Sequence, residues 1–207
     1  LNVSNDVDRN THTAGNVAGY RDGGYYTNDD VTSVDLTWWM QSINAFDMEL
    51  LVNHASGSGR LLSTPSNGTL PAYYDEKCLN LHDNAGQNAG LNPDIIAVYI
   101  GVNDGSRKEE PGSLSEINFA ELIKGTNETG YQYATPKTMA EGYAVMLHKM
   151  QHRYPDAEIF LFTIPRLNAP VPEYRSVIKE VAAHFDVRIV DLYDSELTQT
   201  GYSKYFF

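Results

Sequence analysis

The chain has 207 residues, 42% hydrophobic and 11% aromatic, which supports one sizeable core without disulfide or metal staples. With 15 basic against 27 acidic side chains its formal net charge is −12, which argues against nucleic-acid binding and against docking on anionic membranes. The single cysteine, Cys78, rules out an internal disulfide framework and a cysteine-based zinc site, and the longest apolar run is far short of a membrane span.

No repeat or low-complexity linker divides the sequence, so residues 1–207 read as a single domain. Residues 1–31 are polar, rich in Gly, Asn, Asp and Tyr, and lack either helical or strand periodicity. They read as a surface loop. Asp6, Asp8 and Asn10 imitate the start of a calcium loop, but Thr11 and Val17 stand where glycine and glutamate are needed. Organised sequence starts at Thr32-Ser33, an N-cap candidate. Leu36, Trp39, Met40 and Ile43 then give one apolar helical face. Leu50-Leu51-Val52 reads as a short strand. It runs into the small-residue turn Asn53-His54-Ala55-Ser56-Gly57-Ser58-Gly59.

The clearest strand is Ile95-Ile96-Ala97-Val98-Tyr99-Ile100, apolar on both faces and therefore expected at the buried centre of a parallel sheet. It stops at Gly101-Val102-Asn103-Asp104. Residues 105–135 form a polar insertion, expected as a lid or rim loop with a short helical piece near Ser115 to Lys124. Pro136 suits a first helical turn, and Met139, Tyr143, Met146, Leu147, Met150 and Tyr154 keep helical spacing. A strand over 159–164 follows. A helix from about Pro172 then carries Tyr174, Val177, Ile178, Val181 and Phe185, and residues 187–192 close the pattern as a strand. Alternation of this kind implies a three-layer α/β/α sandwich on a parallel, flavodoxin-like sheet. Ligands of open sheets sit beyond the carboxyl ends of the strands, where the turns 53–59 and 101–104 fall.

At these turns the sequence resembles the SGNH (GDSL-type) hydrolases, a family of esterases and lipase-like acyl hydrolases. The run Gly101-Val102-Asn103-Asp104 is similar to that family's Gly-x-Asn-Asp block, and the stretch from Val31 through Trp38-Trp39 to Asn53 resembles a bacterial branch. The resemblance covers most of residues 31–193. It implies a serine attacking a carbonyl, a histidine taking the proton, and an oxyanion hole built from N–H groups and an asparagine amide. One such donor is worth roughly 2.7–4 kcal/mol of barrier. Asn103 matches the oxyanion asparagine, Gly101 lets the backbone turn closely, and Gly57, Ser58 and Gly59 are alternatives for the backbone donor. His54, in the same turn, is a candidate substrate contact.

The Gly-Asp-Ser that should carry the nucleophile occurs nowhere, nor does an Asp-x-x-His. The first helix also has no strand before it. Both observations lead to the expectation of a domain shortened at both ends and inert by itself. The expected substrate of the complete enzyme is a small acyl ester, on an acetylated carbohydrate or a lipid-like alcohol, cleaved with no metal or cofactor. The rival expectation is a non-catalytic carbohydrate-binding or interaction module on the same fold. A flavodoxin-like binder is a third, without a G-x-G-x-x-G or P-loop to support it. His148 and His152 lie four apart on the helix predicted after Pro136, close enough to share a metal, but read as a solvated helix face. Cys78 reads as a small packing residue, with no basic cluster beside it.

Overall fold

The computed structural model describes residues 34–55, 59–64, 70–79, 81, 92–165 and 172–195. They fall in two compact units, with 34–55, 81 and 92–93 in the first and 59–64, 70–79, 94–165 and 172–195 in the second.

In the first unit a short 3-10 helix, Val34–Leu36, leads into α1, Trp38–Ala45. The N-cap is Thr37, in extended backbone and without a side-chain capping bond; Thr32 and Ser33 lie outside the described residues. Met40 is the buried residue of α1, and Trp38 meets Trp39 edge to face at 6.0 Å. The expected strand at Leu50-Leu51-Val52 is absent: these residues are half-buried coil with no ladder partner among the described residues. A three-residue apolar run forms a strand only where a neighbour supplies the hydrogen bonds.

The second unit holds α2 (Asp75–Cys78), β1 (Ile95–Val98), α3 (Val102–Arg107), α4 (Phe119–Leu122), the hairpin β2 (Ile123–Thr126) and β3 (Gly130–Tyr133), α5 (Met139–Arg153), β4 (Glu158–Phe162), α6 (Pro172–His184) and β5 (Arg188–Val190). Strands β1, β4 and β5 form a parallel sheet in that order, in register Val98↔Leu161↔Ile189. Helix α5 lies between β1 and β4 in the chain and α6 between β4 and β5, and the two helices pack together. Ile96, Val98, Ile159 and Leu161, which the register places on one face of the sheet, are buried.

The opposite face corrects the expectation for 95–100. Ile95 and Tyr99 are 45% and 37% exposed, and the strand alternates exposed and buried residues. Among the described residues it stands at one end of the strand order, and only alternate residues reach the core.

Helix α5 is the centre of the unit. Met139, Ala140, Tyr143, Ala144, Val145, Met146 and Leu147 are all at most 1% exposed. It begins at Met139, three residues later than Pro136 suggests, because Thr138 and Glu141 form a capping box: Glu141 N–H donates to Thr138 Oγ1, and Thr138 N–H to Glu141 Oε2, each at 3.3 Å. The expected lid or rim loop contains an antiparallel hairpin instead. Gly125 makes its tight approach possible, since a Cβ there would collide with the Gly130 carbonyl.

The hairpin also changes the reading of His148 and His152. Tyr131 packs edge-on against both imidazoles, and Tyr133 Oη lies 3.0 Å from His148 Nδ1, so the hairpin half-buries His148 while His152 stays exposed. Burial, then the neighbouring His152, lowers the His148 pKa.

Three helices end in the same way. At α1, Met48 N–H bonds Ile43 O and Asp47 N–H bonds Asn44 O; at α3, Glu109 bonds Asp104 and Lys108 bonds Gly105; at α6, Val187 bonds Ala182 and Asp186 bonds Ala183. These are Schellman caps, which favour glycine at the left-handed position, yet Asp47, Lys108 and Asp186 hold it at φ 52°, 58° and 52°.

Candidate active site

The turn after β1 is built from a glycine. Gly101 sits at φ 109° before α3, and a Cβ there would lie 2.7 Å from Tyr143 Oη and 3.1 Å from both Ile164 Cδ1 and Met139 Cε. The neighbouring Ile100 carbonyl accepts a 2.7 Å bond from Tyr143 Oη, whose ring is wholly buried. Only a residue without a side chain lets the chain leave the strand here. It then enters a helix at once, so Asn103 and Asp104 lie in a first helical turn.

Asn103 and Asp104 divide the work. Asp104 is fully buried, and its carboxylate reaches 43 residues back to accept Leu61 N–H at 2.8 and 3.1 Å and Leu62 N–H at 3.1 Å. Burial raises its pKa, against the pull of those N–H groups. The loop 59–62 is thereby pinned to the strand tip. Asn103 uses the register so set: its Nδ2 donates to the Gly59 carbonyl at 2.9 Å. A primary amide has two N–H donors. One orients the group against Gly59, leaving the second as a fixed neutral donor at the tip of β1.

Of the residues singled out in the sequence, the structure therefore brings Asn103, Gly101 and Gly59 together within the second unit. Gly57 and Ser58 lie outside the described residues. His54 belongs to the first unit, in a loop where Ala55 N–H bonds Asn53 Oδ1 at 3.0 Å. What the sequence did not single out is the pairing of Asp104 with Leu61 and Leu62; the only signal was a carboxylate directly after the asparagine.

A second buried polar cluster lies beyond β4 and β5. Thr163 Oγ1 accepts Leu192 and Tyr193 N–H at 2.8 and 3.0 Å and donates to Asp191 Oδ1 at 2.9 Å. Arg175 grips Asp191 with Nη2 at 2.7 Å. Burial pushes the Asp191 carboxyl up, but hydrogen bonds from Arg175, Thr163 and Lys179 outweigh it and bring it to about 2. Cys78 is wholly buried with Sγ 2.8 Å from Ala72 O, and burial pushes its thiol up to about 12, as suits a packing residue. Among the described residues no three His, Cys, Asp or Glu side chains gather to hold a metal, and no helix is long and apolar enough to cross a membrane.

Comparison with known proteins adds to this geometry. The family model for GDSL-like lipase/acylhydrolase matches residues 9–204. The chain is similar to the crystal structures of two proteins assigned as GDSL-like lipases. One, from Bacteroides ovatus, is 22% identical over 89% of this chain and 81% of that one, with a TM-score of 0.59. The other, from Bacteroides uniformis, is 21% identical over 89% and 79%, with a TM-score of 0.62. A protein of Lactobacillus plantarum is 15% identical over 78% and 71%, with a TM-score of 0.52. No curated protein sequence matches the chain. At these identities the structural likenesses establish the fold, an α/β fold on a parallel sheet. With its family model running over nearly the whole sequence, the chain belongs to the GDSL-like lipase/acylhydrolase family.

Proposed function

We propose that this sequence supplies the oxyanion-stabilising part of an acyl-ester hydrolase acting on small esters, acetylated carbohydrate among them. The observation that carries the reading is the Asn103 amide, held 2.9 Å from the Gly59 carbonyl at the carboxyl end of a parallel strand. When a nucleophile adds to the ester carbonyl, the electron pair moves onto oxygen, and the second Asn103 N–H stabilises that charge. A donor fixed in advance costs no reorganisation as the charge develops. Gly57, Ser58 and Gly59 are the alternatives for the accompanying backbone N–H. Gly59 is supported by its burial and by an N–H without a partner among the described residues. Gly101 is proposed to line the substrate path.

The seryl nucleophile and its histidine are not provided by any Gly-Asp-Ser or Asp-x-x-His within the 207 residues. The 207-residue chain assayed alone should therefore not turn over p-nitrophenyl acetate. The gene product that carries it together with such blocks should do so, and Asn103→Ala should lower kcat about 10²- to 10³-fold with little change in KM. Turnover unaffected by Asn103→Ala would remove the oxyanion role, and no turnover by the gene product that carries such blocks would leave the non-catalytic module as the reading.

A further inference from the structure

Arg60 follows Gly59, the residue whose carbonyl orients Asn103, by one peptide bond. Its side chain is half-buried. Nη1 reaches Ser63 Oγ at 3.2 Å, while Nε is buried with no hydrogen-bond partner. Glu109 Oε1 shares the Ser63 hydroxyl, at 3.3 Å, but the guanidinium forms no ion pair with it. Arginine presents five N–H donors in a rigid fork, and withdrawing them from water is costly unless an anion takes them. In a chain with 27 acidic side chains against 15 basic ones, a carboxylate partner would be easy to supply from within. Arg175 and Arg188 both have one, and Arg60, in the loop that sets the site, has none among the described residues.

We propose that Arg60 receives a carboxylate carried by the substrate, so that the preferred ester bears an anionic group on its acyl or alcohol part. This rests on the hydrolase reading above; Nε is enclosed by protein, so the carboxylate would meet the Nη end of the fork. No bond is made or broken at Arg60; it binds and orients.

Two measurements test it. The first needs no catalysis: thermal unfolding of the 207-residue chain with succinate or with uncharged succinamide, at constant ionic strength. Succinate should raise Tm and succinamide should not; Arg60→Gln should abolish the succinate shift, and Arg60→Lys should keep part of it. Variants are first compared without ligand by circular dichroism. The second is the ratio of kcat/KM for mono-4-nitrophenyl succinate over 4-nitrophenyl acetate, with 4-acetoxybenzoate placing the charge on the leaving group instead. Arg60→Gln should lower at least one of these ratios about 10- to 100-fold, the worth of a charge-assisted hydrogen bond. No succinate shift, a shift that survives Arg60→Gln, or ratios that the variant leaves unchanged overturns the proposal. A succinate shift that depends on Arg60, in a gene product inactive on every ester, would instead bring down the hydrolase reading and leave the anion site standing.

Discussion

Replacing Asp104 by alanine should do more damage than its position on a short helix suggests. The carboxylate accepts Leu61 and Leu62 N–H, and Leu61 is wholly buried. Removing it leaves two donors without partners, each costing about 1–3 kcal/mol, for a total of roughly 2–6 kcal/mol. Asp104→Asn keeps one accepting oxygen and turns an NH2 toward the other donor, so it should lose about half as much. Urea unfolding followed by far-ultraviolet circular dichroism gives the free energy, and hydrogen exchange at Leu61 and Leu62 gives the local effect. Both amides should lose protection in Asp104→Ala, well beyond the change in global stability. A stability loss below about 0.5 kcal/mol with Leu61 still protected would show that the loop is held by something else, and the argument for a preset Asn103 would fall with it.

Two further outcomes follow from the packing and the charges. Gly142→Ala should destabilise by about 1 kcal/mol despite alanine's helix preference of about 1 kcal/mol: a Cβ there would lie 2.8 Å from Leu62 Cδ2 and 2.9 Å from Leu61 Cγ, and overpacking costs about 1–3 kcal/mol. A raised Tm in thermal unfolding would contradict this. Asp191 is held at about 2, below the roughly 3.9 of an unfolded aspartate, so its contribution to stability is full above that higher value and is lost as pH falls toward 2. Unfolding free energies measured between pH 5 and pH 2 should therefore fall less steeply in Asp191→Asn, and an unchanged slope would refute the network's role.

The units that the sequence displayed well are those whose signal is their own periodicity. Met139, Tyr143, Met146, Leu147 and Met150 mark α5, and Tyr174, Val177, Ile178 and Val181 mark α6, because a helix satisfies its backbone internally and needs only one apolar face. The strand at 95–98 was visible for a similar reason. Its exposure was not, since apolar residues on both faces say that a strand can be covered twice, while the strand order decides whether it is. The hairpin at 123–133 was hidden because Lys124, Gly125 and Thr126 carry no alternation, and its partner strand supplies what local preference lacks. At the site, the motif 101–104 pointed to Asn103, and the family resemblance suggested the oxyanion role proposed for its amide. The clamp from Asp104 to Leu61 and the unpaired Nε of Arg60 are three-dimensional facts, joining segments about forty residues apart without any local pattern to announce them.

The left-handed caps at Asp47, Lys108 and Asp186 have a consequence for engineering. A side chain in that conformation costs of order 1 kcal/mol that glycine would not incur. Asp47 and Asp186 lie at helix ends outside the β1 tip and its clamp, so they are places where thermal tolerance can be raised without touching the chemistry. Lys108 closes the very helix that carries Asn103, so the same change there would act on the proposed oxyanion donor.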